Sequence, residues 1–232
     1  MKQKIVFIGN SIVAGYPWSK GKSFVGALRR TLKGDPPSPD SSGNPSEGGR
    51  TSVILKQPDF AKNVGFDIIN KGVNGDTTEG IAHRFRADVL DSNPDFVYFL
   101  TGTNDFIFRE YTPAEAFAHL EALSEEAEAN GATPIYITPI RVDAEKAECM
   151  WMAGFGVSYP AVNRNVDEFS ELIRKSGRLY VDMNVAFAEY AKGFDDIDLV
   201  YLDGIHPMPN AHLFMAGEIL RFMEDNRETL GL

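Results

Sequence analysis

The chain has one cysteine, Cys149, in 232 residues. A lone thiol excludes an internal disulfide and agrees with a reducing compartment. Positive charge is also short, since 23 Lys and Arg stand against 33 Asp and Glu for a formal net charge of -10. With no basic cluster to offset this, nucleic acid and anionic membrane surfaces are not expected as electrostatic partners. Long apolar runs are missing too. The chain opens Met1-Lys2-Gln3-Lys4 and passes directly into Ile5-Val6-Phe7-Ile8, a run too short for a membrane span or the apolar region of a secretion signal. The cytoplasm is therefore the expected compartment, with a removed secretion leader as the alternative.

Histidine is scarce as well. His83, His119, His206 and His212 form neither HExxH nor a His/Cys cluster, and Asp35, Asp40 and Glu47 lack the spacing of a calcium loop, so no metal site is expected. His212 reads as a helix surface residue. No Walker or GxGxxG pattern surrounds Gly9, so no nucleotide cofactor is expected. Cys149 lies in no strand-to-turn context that would make it a nucleophile.

What is present is a regular alternation of strand and helix patterns. The 43% of hydrophobic residues suffice for one substantial core, and residues 1–232 read as a single domain. Strand patterns fall at 4–8, 66–70, 96–100, 133–138 and 179–182. Between them run helical patterns: after Thr112, Ala116, Leu120, Leu123 and Ala127 share one face, and near the C-terminus so do Leu213, Ala216, Leu220 and Met223. Asp76, three residues ahead of Glu79, reads as the cap of a further helix with Ile81, Phe85 and Val89 at helical spacing. Such interleaving implies parallel strands with crossover helices. The predicted fold is α/β, a flavodoxin-like three-layer α/β/α sandwich around a five-stranded parallel sheet.

Two segments break the alternation. Residues 34–50, GDPPSPDSSGNPSEGGR, have no apolar periodicity and predict an exposed loop inserted in the domain. Residues 141–159 carry Met150, Trp151, Met152, Phe155 and Tyr159 among glycines. Apolar groups this large either join the core or line a pocket, and Trp151 and Phe155 are the candidate pocket residues, together with Asn10.

Four short blocks carry the chemistry. Gly9-Asn10-Ser11 follows the first strand, so the Ser11 hydroxyl sits where open α/β sheets hold their active sites. Asn70-Lys71-Gly72-Val73-Asn74-Gly75-Asp76-Thr77 follows the second, and Gly102-Thr103-Asn104-Asp105 the third, a five-residue apolar run that reads as central. Asp203-Gly204-Ile205-His206 lies near the end of the chain. Taken singly, each has a plainer reading as a turn, a helix cap or a surface residue. Taken together they supply a hydroxyl nucleophile, an imidazole to accept its proton and a carboxylate to orient that imidazole.

In order and content the blocks resemble those of the SGNH hydrolases, the GDSL-like esterases and lipases, over a span from Gly9 to His206. The resemblance implies Ser11 as nucleophile, His206 as base and Asp203 as its orienting acid, with an oxyanion hole made by the Ser11 and Gly75 amides and the Asn104 side chain. The family's more familiar first block has Asp where this chain has Asn10. The resemblance implies a serine hydrolase cleaving carboxylic esters through an acyl-enzyme, with short-chain, carbohydrate, lipid or thioester substrates all within the family's range. Two other readings stand beside it: a flavodoxin-like phosphate- or nucleotide-binding module, and a catalytically silent domain whose aromatic segment around Trp151 binds a partner protein.

Overall fold

β1 (Lys2–Gly9) contains Ile5, Val6, Phe7 and Ile8, all fully buried. Such a run needs cover on both faces and a neighbour on both edges. A computed structural model of the chain, which describes residues 2–35, 55–151 and 156–232, supplies both. α1 (Ser11–Ala14) and α2 (Phe24–Lys33) lead to β2 (Gly65–Gly72), and α3 (Thr78–Asp88) leads to β3 (Phe96–Leu100). α4 (Thr103–Phe108) and α5 (Pro113–Ala129) precede β4 (Thr133–Ile137), and α6 (Ala144–Trp151) and α7 (Tyr159–Lys175) precede β5 (Tyr180–Val181). α8 (Met183–Ala191), α9 (Pro209–Asp225) and α10 (Arg227–Leu230) complete the chain. Among the described residues, no helix is long and apolar enough to cross a membrane.

All five strands are parallel, in the order β2-β1-β3-β4-β5. The chain leaves β1 toward one edge and later returns to its other side. That reversal opens a crevice at the carboxyl ends of β1 and β3, the place where sheets of this order bind ligands. The two-residue period of the strands then divides the core. Ile5, Phe7, Tyr98 and Leu100 face the layer holding α2 and α9, while Val6, Ile8, Val97 and Phe99 face that of α3, α5 and α7. Each such side chain contributes at most about 1.5 to 3 kcal/mol by burial. This is the three-layer architecture expected from the alternation.

Several local readings shift. Thr77, not Asp76, caps α3, its side chain accepting the Gly80 amide. β5 stops at Val181 because Asp182 turns out of the ladder to cap α8, accepting the Val185 amide. α5 begins as its sequence requires, with Thr112 and Glu115 closing a reciprocal capping box and Ala116, Leu120, Leu123 and Ala127 buried. In α9, Ala216, Leu220 and Met223 are buried but Leu213 only half so, and Met215 and Ile219 complete the stripe. Of the loop expected at 34–50, Gly34 closes α2 in the left-handed region (φ +72°), while 36–50 lie outside the described residues.

The largest correction concerns His212, expected on a helix surface and found fully buried. α9 lies against α2, where the His212 ring stacks on Phe24 and its Nδ1 accepts the Phe24 amide at 3.3 Å. Burial, and secondarily the nearby His206, pushes its pKa down from 6.5 to about 3. Unfolding therefore takes up a proton between those values, so His212 stabilises the fold fully above about 6.5 and loses that contribution as pH falls toward about 3. His212→Asn keeps an acceptor near the Nδ1 position and removes the titration. Urea unfolding between pH 7 and pH 5 should show a shallower loss of stability in this variant, by up to about 1.4 kcal/mol per pH unit. Equal slopes in the two proteins would contradict the assignment.

Candidate active site

Ser11 is placed by the abrupt end of β1. A Cβ on Gly9 would meet the Leu100 carbonyl oxygen at 2.2 Å, so the first and third strands approach closely only because residue 9 is glycine. Asn10 then caps α1, its Oδ1 accepting the Ile12 amide at 3.0 Å, and Ser11 is the first helical residue. Asn10 is 3% exposed with its side-chain oxygen engaged in this cap, so it sets the start of the helix that carries Ser11.

His206 arrives from the other end of the chain on a tight loop. Asp203 Oδ1 accepts the amides of Ile205 at 3.0 Å and His206 at 2.8 Å, and its Oδ2 accepts from His206 Nδ1 at 2.7 Å. Gly204 (φ +86°) sits under α6, where a Cβ would come within 2.4 Å of the Ala147 amide nitrogen. The Asp143 amide donates to the Gly204 carbonyl at 2.8 Å, which anchors the start of α6 on this loop. With Nδ1 facing a carboxylate, the ring proton belongs there, and Nε2 is left to accept. Nε2 lies 2.9 Å from Ser11 Oγ. Burial acts to raise the Asp203 carboxyl, but the His206 ring and the two amides outweigh it and hold it below the ordinary carboxylate range. Ser11, His206 and Asp203 thus form one hydrogen-bonded chain, each 5 to 7% exposed.

The second and third blocks meet beside it. Asn104, on the first turn of α4, donates through Nδ2 to the Asp76 carbonyl at 2.9 Å. Gly75 is left-handed (φ +75°), with open space where a side chain would stand. Asp105 laces the blocks a second time: its Oδ1 accepts the Thr78 amide at 3.0 Å and the Thr78 hydroxyl at 2.5 Å. Burial raises its carboxyl, and the Thr78 contacts offset this only in part.

Trp151 ends α6 with its ring centroid 6.2 Å from that of His206. Phe155 and Met152 lie outside the described residues, Tyr159 is buried core and Met150 is exposed. Tyr16 was not singled out from the sequence, yet its ring stands edge-on to His206 at 4.7 Å and is 37% exposed. No local pattern places Tyr16 against a residue 190 positions away.

A parallel sheet of this order, with a serine, histidine and aspartate joined at its carboxyl edge, has the build of a hydrolase. The chain belongs to the GDSL-like lipase/acylhydrolase family, whose model matches residues 7–213, and is a carboxylic ester hydrolase. An acetylxylan esterase of Geobacillus stearothermophilus is 24% identical over 234 residues, covering 94% of this chain and 93% of its own. The crystal structure of an acetylxylan esterase from the same organism superposes with a TM-score of 0.63 at 23% identity, over 95% of this chain and 94% of that one. Catalytic mutants solved for that esterase replace a serine, a histidine and an aspartate. A lipase/acylhydrolase from Enterococcus faecalis gives a TM-score of 0.67 at 22% identity, over 97% and 96% of the two chains. The binding-module and silent-domain readings are not favoured.

Proposed function

We propose that Ser11 is the nucleophile of a two-step ester hydrolysis, and the observation that carries this is the unbroken chain from Ser11 Oγ through His206 to Asp203. The Oγ attacks the ester carbonyl carbon while its proton passes to His206 Nε2, and the negative charge moves to the carbonyl oxygen. The Ser11 and Gly75 amides and the second Asn104 N–H stabilise that oxyanion by donating to it. On collapse the alcohol leaves with the proton from His206, and water, deprotonated by the same imidazole, releases the acid and restores Ser11.

We further propose an acetylated carbohydrate as substrate and residues 1–232 as one hydrolase domain, with 34–50 an insertion. The acetylxylan esterase relative over nearly the full chain supports the substrate class. So does the pair of aromatic rings, Tyr16 and Trp151, flanking His206, since flat apolar faces suit the faces of a sugar ring. The solitary thiol supports a cytoplasmic setting.

A fluorophosphonate probe followed by peptide mass mapping tests the nucleophile directly. The adduct should fall on the peptide containing Ser11 and should be lost when the protein is unfolded before labelling. Labelling at another residue, or no labelling of active protein, would dismiss the mechanism.

A further inference from the structure

Asp76 joins the two side elements of the proposed oxyanion hole. Its backbone carbonyl accepts Asn104 Nδ2 at 2.9 Å, which leaves the second N–H of that amide for a ligand. Its carboxylate is gripped by Arg84, whose Nε and Nη2 both reach Oδ2, at 2.8 and 2.6 Å. Nη1 of the same guanidinium takes Asp88 at 2.7 Å, and Nη2 also reaches the carbonyl of Gly9 at 3.4 Å, two residues before Ser11. The other Asp76 oxygen accepts the Thr77 amide at 3.1 Å and fills the space where a Cβ on Gly80 would stand, 2.0 Å away. α3 omits a side chain at Gly80 to seat this carboxylate.

Both partners are largely covered, with side chains 9% and 19% exposed. An ion pair taken so far out of water gives little net stability, because desolvation offsets its Coulomb attraction. What it fixes is orientation. We infer that the Arg84–Asp76 pair is a positioning device for the oxyanion hole: it locks the turn bearing Gly75 against the end of β1, so that the Gly75 amide and the remaining Asn104 N–H converge on one point. The inference rests on the hydrolytic reading of the site. A lysine at position 84 lacks the planar fork and would not hold the carboxylate in the same plane.

The test is a double-mutant cycle on p-nitrophenyl acetate. Asn104→Ala alone should lower kcat by roughly 10² to 10³ with KM little changed. Arg84→Ala should lower kcat by roughly tenfold to a hundredfold, the cost of a misplacement near 1 Å, again with KM nearly constant. In the Asn104→Ala background the same change should cost clearly less, since one of the two donors it aligns is already gone and only the Gly75 amide remains to be placed. If the two losses multiply in full, or Arg84→Ala acts through KM alone, the inference is overturned. Should Arg84→Ala fold poorly, Arg84→Lys and Asp76→Asn run the same cycle under the same criteria. Ser11→Ala serves as the control: loss of activity there together with independent Arg84 and Asn104 effects defeats the clamp only, whereas activity that survives Ser11→Ala defeats the hydrolytic reading itself.

Discussion

Ser11→Ala and His206→Ala should each lower kcat by roughly 10⁴ to 10⁶, and the double mutant should be scarcely worse than either. The hydroxyl is a useful nucleophile only while Nε2, 2.9 Å away, can take its proton. Removing either member disables the same step, so the losses overlap instead of adding. The residual rate comes from substrate binding and the oxyanion donors, which neither substitution touches. Steady-state turnover of p-nitrophenyl acetate measures this. A tenth of wild-type turnover remaining in Ser11→Ala would remove Ser11 from the mechanism, and a double mutant much slower than either single would show that the two residues act apart.

Asp203→Asn should lower kcat by about 10⁴ while leaving the fold intact. The asymmetry between its two oxygens explains both halves of this expectation. Oδ1 supports the loop by accepting the Ile205 and His206 amides, and an asparagine oxygen in that position does the same. Oδ2 accepts from His206 Nδ1 at 2.7 Å, and there an NH2 group would donate instead. The imidazole must then carry its proton on Nε2, facing Ser11, and cannot accept the hydroxyl proton. Thermal unfolding should shift little, in contrast to Asp203→Ala, which leaves two buried amides unpartnered at a cost of about 1 to 3 kcal/mol each. A variant that keeps most of its turnover, or one whose lost activity tracks a lost fold, would show that Asp203 does not set the tautomer.

Much of the fold follows from local pattern. The buried run at Ile5–Ile8, the helical stripe from Ala116 to Ala127 and their alternation mark a parallel sheet, because a strand buried on both faces and a helix buried on one have different periods. The four blocks were legible for the same reason, each lying just past the end of an apolar run.

Features that depend on what comes from far along the chain were not legible. No residue type near His212 marks it as buried, and only the contact of α9 with α2 buries it. Tyr16 stands against His206 and Arg84 against Gly9 because strand order brings these segments to one edge of the sheet. The sequence by itself determined which residue types lie at the strand ends, since periodicity and turn chemistry act over a few residues. Tertiary structure alone decided that Ser11 and His206, 195 residues apart, lie within one hydrogen bond, and that Asp76 faces both Arg84 and Asn104. Distances of that kind are fixed by the order in which parallel strands pair, and no local window of sequence contains that order.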